Sequence, residues 1–286
     1  MAIRPEWSEC HSDLQLEVPV IELAPRHKIG LPVASPIFLA AGSVGFGEAI
    51  HPGIDTARLG GIVVGPITRH SIRGSDSPRL AETSGGFVLQ TGLQNRGVTA
   101  VIKNFARFWS RLGCPIIAQI VDDDPQEAAS TARRLAQVDG LMGLELRLAL
   151  HAEPGELRPL LRAIRRSADL PLWVKLPSSG VTDLAQAAAA AGADALVIAS
   201  PLLGAGVTAS GTVVRGDLFG PAAFAPMLAG LSAVTELALG IPLIACGGIH
   251  TLQQARQILA AGASAVQLDS IVWVEPGVVE KLAGEW

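Results

Sequence analysis

The sequence predicts a closed (β/α)8 barrel with a short N-terminal β-hairpin, built as a single domain over residues 1–286. Three observations carry this. Eight short apolar runs recur: Ile37–Ala40, Gly61–Val64, Pro115–Val121, Gly143–Leu148, Pro171–Leu176, Ala195–Ala199, Pro242–Cys246 and Ala265–Leu268. A parallel strand covered by helices on both faces of its sheet reads as such an unbroken run. Helical patterns lie between most of the runs, and strand–helix alternation in this number closes a sheet on itself. No GxGxxG follows the first run, which argues against the competing architecture, an open doubly wound sheet.

Taken in order, Leu16–Leu23 mixes acidic and apolar residues and leads into Pro25-Arg26-His27-Lys28-Ile29-Gly30. This reads as a hairpin laid over the mouth or base of the domain. Val98–Arg111 places Val98, Val101, Ile102, Phe105, Phe108 and Trp109 on one helical face. Asp124 is an N-cap, with Pro125 at the first helical position. Pro154–Arg166, the alanine-rich Thr182–Ala191, Ala222–Leu239 and Thr251–Ala261 supply the later helices. Two stretches stand outside the alternation. Pro66–Gln94, rich in Ser, Gly, Arg and Pro, reads as a functional lid. Gly204–Pro221 holds Gly204, Gly206, Gly211, Gly216 and Gly220, and that density suggests a mobile loop over the barrel mouth.

Composition narrows the function. The chain is 49% hydrophobic and 17% charged, with a net charge of -4, so it has no basic excess to neutralise a nucleic-acid backbone. Cys10, Cys114 and Cys246 are scattered and form no ligand spacing for zinc or an iron–sulfur cluster, so no metal site is expected. So few cysteines suit a reducing compartment, and no run reaches the roughly 18–20 apolar residues of a membrane helix. The expectation is a cytoplasmic protein that acts on a small molecule.

Ligands of such barrels sit at the C-terminal ends of the strands, so polar residues inside or just after the apolar runs are the informative ones. They are Gln119, Glu145, Arg147, Lys175, Gln267 and Asp269. Glu145 and Arg147 are two apart and share a face. Burying such ions costs several kcal/mol each unless they are paired. Arg147 and Lys175 could neutralise Glu145 and Asp269 in one cluster, and Glu145 reads equally well as part of a barrel-filling salt-bridge layer. Gly247-Gly248, after the seventh run, is either a tight turn or a backbone cradle for an anion. His70 and His151, on loops after the second and fourth runs, are either solvated or proton donors to a substrate. Cys246 reads as a small core residue. Trp173 has the parity of Lys175 and so faces inward, where a ring of that size is hard to place.

These motifs resemble the dihydroorotate dehydrogenase family, the soluble class 1 type in particular, over nearly all of Ile29–Ser270. The matching residues are Ala40-Ala41-Gly42-Ser43, Gly45-Phe46-Gly47-Glu48, Pro78-Arg79-Leu80-Ala81-Glu82-Thr83 and Gly92-Leu93-Gln94-Asn95. Further on they are Glu145-Leu146, Val174-Lys175-Leu176, Leu202-Leu203-Gly204, Gly220-Pro221, Gly247-Gly248-Ile249 and Gly262–Gln267. The resemblance implies a (β/α)8 barrel with FMN at its mouth that takes a hydride equivalent from dihydroorotate. It implies that Lys175 lies at the flavin N1/O2 edge and that Gly247 and Gly248 offer amides to the phosphate. It also implies that Ala41, Gly42 and Gly220 line the flavin, and that the chain forms a homodimer, with an electron-transfer partner subunit as a further option.

The departures fall on the chemistry. The family's strand-two lysine falls at Gly65 and its substrate-loop asparagine at Leu89. The strand-three and strand-four asparagines fall at Gln119 and Arg147, and the catalytic cysteine at Leu150. The Asn-Thr after strand six falls at Ser200-Pro201, and the Gly-Thr or Gly-Ser of the phosphate site at Asp269-Ser270. Leucine cannot accept a proton, and loss of a general base typically costs about 10²–10⁴ in rate. The expectation is therefore an FMN-dependent oxidoreductase for a small acidic substrate other than dihydroorotate, with Arg147 as its grip and His151 or His70 as proton donor. Two competing readings are a flavin-free lyase or isomerase working through Lys175 with Glu145 as partner, and a non-catalytic homologue.

Overall fold

The computed structural model describes residues 20–199 and 202–286. All eight apolar runs are strands: β1 (Ile37–Leu39), β2 (Gly61–Ile67), β3 (Ile116–Ile120), β4 (Leu141–Arg147), β5 (Leu172–Leu176), β6 (Ala195–Ala199), β7 (Leu243–Cys246) and β8 (Ala265–Leu268). They form one closed parallel barrel in chain order, and β8 returns to β1 through Val266 opposite Ile37 and Leu268 opposite Leu39. Six of the outer helices are α1 (Val98–Trp109), α2 (Pro125–Leu135), α3 (Pro154–Ser167), α4 (Val181–Ala190), α5 (Phe224–Thr235) and α6 (Leu252–Ala260). After β8 come α7 (Ile271–Val274) and α8 (Pro276–Ala283). Asp124 caps α2 as its sequence requires, its side chain accepting from the amides of Gln126 and Glu127 at 2.9 Å each. Only a 3-10 turn, Thr56–Arg58, bridges β1 and β2. Four glycines and a proline between Gly42 and Gly53 leave that connection no helical run.

The strand parity sorts the core into two bodies. One lies between barrel and helices; the other fills the barrel's lower interior with Leu23, Leu31, Phe38, Ile117 and Trp173. The hairpin pairs Ile21–Glu22 with Pro32–Val33 and plugs the base with Leu23 and Leu31, both fully buried. Part of its expected first strand lies outside the described residues. Trp173 finds its place here. Its ring stands edge-on to Phe38 at 5.5 Å and its indole N–H donates to the Leu23 carbonyl at 3.3 Å. Gly61 makes room opposite, since a Cβ there would sit 2.7 Å from the Phe38 ring.

Of the two stretches outside the alternation, the second differs from the mobile loop expected. The two pair with each other in a four-stranded antiparallel sheet ordered Leu202–Val207, Val213–Phe219, Gly86–Leu89, Leu80–Thr83. The glycines serve close packing. A Cβ on Gly206 would lie 2.8 Å from Ala81 Cβ, and one on Gly216 would lie 2.5 Å from the Leu89 carbonyl. The stretch read as a mobile loop is therefore the centre of a cap over the barrel mouth, turning at Gly211, whose φ is 84°.

Candidate active site

Above the Trp173 layer the barrel interior turns polar. Gln119 (β3), Glu145 (β4), Lys175 (β5) and Gln267 (β8) are buried and meet across the interior. Glu145 is fully buried and receives Gln119 Nε2 at 2.7 Å and Gln267 Nε2 at 2.6 Å. Lys175 Nζ donates to Gln267 Oε1 at 2.8 Å and stands 3.6 Å from Glu145 Oε1. Each amide thus donates to the carboxylate, and Gln267 also accepts from the cation, so the two buried charges are bridged as well as paired.

Burial opposes the charge on Lys175, but the Cys246 sulfur and the Glu145 carboxylate outweigh it, and the pKa of the amine moves up. Cys246 itself is buried and its thiol is pushed up to about 11 by burial, so near neutral pH it is a small uncharged core residue. Glu145 is the carboxylate that pairs with the Lys175 amine. This geometry disfavours Lys175 as an amine nucleophile, which must be neutral to attack.

Arg147 leaves this ring. It is the last residue of β4, and its Nη2 reaches out to Asp217 Oδ2 in the cap sheet at 3.2 Å, both side chains about one quarter exposed (22% and 24%). Burial pushes the Asp217 carboxyl above the usual range, more than Arg147 pulls it down. The single four-charge cluster expected from sequence is thus divided: Glu145 with Lys175, Arg147 with Asp217, and Asp269 elsewhere. Between the cap and the loop after β4 opens a cleft of about 870 Å3, lined among others by Leu89, Arg147, Leu150, His151, Arg215 and Asp217. His151 is exposed in this cleft. His70 is exposed on the outside, 3.8 Å from Glu127, as a solvated loop residue.

The loops after β7 and β8 form the remaining corner. Gly247 and Gly248 are buried, and a Cβ on Gly248 would lie 2.2 Å from the Phe224 amide nitrogen, so this loop is pressed onto the start of α5. Gln254 Oε1 accepts the amides of His250 at 2.8 Å and Thr251 at 3.0 Å, and Thr251 Oγ1 accepts the amide of Gln254 at 3.1 Å. Asp269 Oδ1 accepts both the amide and the hydroxyl of Ser270, at 2.6 and 3.0 Å. His250 Nε2 lies 3.1 Å from Ser270 Oγ. Burial lowers the His250 pKa and outweighs the nearby carboxylates of Asp269 and Glu275.

The other sequence candidates are spread around the mouth. Ala41, half-buried, and Gly42, exposed, form the turn after β1, where a Cβ on Gly42 would meet nothing within 4 Å. Gly65 and Gly220 are buried where a Cβ would clash, 2.9 Å from Gln119 Cβ and 2.6 Å from Gly86 Cα respectively. Ser200 lies outside the described residues. Asp217 and His250 were not among the sequence candidates. Asp217 sits in a stretch read as a loop, and its partner is 70 residues away. His250 directly follows Gly247-Gly248-Ile249, and that position was the available signal.

A barrel with a capped C-terminal mouth, a buried Lys–Glu pair below it and an arginine at its rim defines a class of small-molecule enzyme scaffold. Residues 26–285 match the family model described as "Dihydroorotate dehydrogenase". The chain is 34% identical over 282 residues to "Dihydroorotate dehydrogenase B (NAD(+)), catalytic subunit" of Desulforudis audaxviator (strain MP104C), covering 90% of this chain and 89% of that protein. It is 31% identical to the protein of the same name from Pelobacter propionicus (89% of each chain). It is 32% identical to that from Desulforamulus reducens (89% of this chain and 90% of the relative). The chain belongs to the dihydroorotate dehydrogenase family.

The family implies FMN, and the residues can be tested against it. Lys175 offers a cation from the barrel floor, which suits the electron-rich edge of a reduced ring. In the corner after β7 and β8, the Asp269 carboxylate does not suit the phosphate. The amides of His250, Thr251, Gln254 and Ser270, and the Ser270 hydroxyl, already have acceptors within the chain. Among the described residues no lysine or arginine is paired with Asp269. A dianion placed there would face a carboxylate with no intervening cation.

Proposed function

We propose that the chain is a flavin-type oxidoreductase of its family whose substrate is a small anion other than dihydroorotate. The arginine at the end of β4, set in the cleft beside Leu150 and His151, is the observation that carries this reading. Leu150 stands where the family resemblance puts the proton-abstracting cysteine, and a hydrocarbon side chain has no lone pair for a C–H proton. Arg147 adds two or more N–H donors and a fixed positive charge, the set that grips a carboxylate in a fork. Asp217 is its resident partner. Because burial works against that carboxylate, a substrate carboxylate can replace it at Arg147 while Asp217 turns towards water or takes up a proton. His151 stands exposed in the same cleft, and we assign it as the acid or base for such a ligand.

The reading is tested by titration calorimetry with small mono- and dicarboxylates. A charge-assisted hydrogen bond contributes about 1.5–3 kcal/mol, so Arg147→Ala is expected to weaken the best ligand about 10- to 150-fold. Asp217→Asn removes the internal competitor and is expected to tighten it. Unchanged affinity in Arg147→Ala overturns the assignment of Arg147.

A further inference from the structure

We propose that the cofactor corner after β7 and β8 is built for a flavin that ends in a hydroxyl, riboflavin, in preference to its 5′-phosphate. The inference rests on the flavin reading above and refines it.

Asp269 is the centre of the argument. It stands at the start of α7, 9% exposed, beside the fully buried Ser270. Its Oδ1 takes both Ser270 donors, as a bound phosphate oxygen would, while its Oδ2 accepts nothing among the described residues. The chain thus carries its own anion at this corner. The N-terminus of α6 is capped by the reciprocal Thr251–Gln254 box, which takes up the amides of Thr251 and Gln254. The remaining polar side chain, His250, has its ring directed at Ser270 and held neutral near pH 7 by burial, so it adds no positive charge.

What such a corner offers is an acceptor. A carboxylate with a free oxygen recognises a hydroxyl group, in the way an acidic residue selects an unphosphorylated ribose over a phosphorylated one in dinucleotide sites. The terminal hydroxyl of a ribityl chain can donate to Asp269 Oδ2. A phosphate at the same place finds both Ser270 donors taken and is repelled by Asp269.

Fluorescence titration of the purified chain, freed of bound small molecules, with riboflavin and with FMN reads this directly. Riboflavin is expected to bind at least about ten-fold tighter than FMN, with the gap narrowing as salt is raised. Asp269→Asn preserves size while removing the charge. It is expected to raise FMN affinity about ten-fold or more and to change riboflavin affinity far less. Circular dichroism of the variant confirms that it is folded. FMN binding tighter than riboflavin in the unaltered chain overturns this inference and leaves the flavin reading standing. Binding of neither compound overturns both.

Discussion

Replacing Glu145 by alanine is expected to destabilise the chain by about 3–5 kcal/mol, measured as the shift of the urea midpoint at constant slope. The reason lies in what is left behind. Lys175 stays buried as a cation with no carboxylate within reach, and the side-chain amides of Gln119 and Gln267 lose their acceptor. For a domain whose whole stability is about 5–15 kcal/mol, that loss approaches unfolding. Lys175→Met in the same background removes the stranded charge and is expected to recover a large part of it. If the double variant is no more stable than Glu145→Ala alone, the cost is that of a cavity and not of a broken ion pair.

Trp173→Ala is expected to cost a similar amount, about 3–5 kcal/mol, by emptying the layer beneath that pair. The indole fills the lower barrel against Phe38 and ties down the N-terminal hairpin through the Leu23 carbonyl. Faster hydrogen exchange in residues 21–33 should accompany the loss, because the hairpin has only the short pairing of Ile21–Glu22 with Pro32–Val33 of its own. Trp173→Phe keeps most of the volume but not the N–H donor, and should fall between the two. An alanine variant within 1 kcal/mol of the unaltered chain, on the scale of an ordinary surface substitution, would contradict this account of the barrel floor.

The barrel was legible because its strands are covered on both sides, so each one is a continuous apolar run. The inward direction of Lys175 also followed from strand parity, and a barrel-filling salt bridge was one of the two readings open to Glu145. What stayed hidden depended on contacts between distant segments. Glycines can mark a loop or a close approach of two strands. Gly206 and Gly216 are the latter, and only the position of Ala81 and Leu89 beside them decides it. Arg147 has the parity of a barrel-interior residue, yet as the last residue of β4 it can reach past the rim, and its partner Asp217 belongs to the cap. Asp269 was expected in a shared charge cluster and turns instead to its neighbour Ser270, a local bond that spacing alone does not distinguish.

The most direct measurement of the central claim is orotate formation from dihydroorotate with an artificial electron acceptor. The chain is supplied with both FMN and riboflavin, and the relative from Desulforudis audaxviator is assayed in parallel. On the proposed reading, in which leucine stands in for the base and arginine for an amide, the account predicts no orotate from this chain under conditions where the relative turns over. Formation of orotate at an ordinary enzymatic rate, about 1–10³ per second, would contradict it.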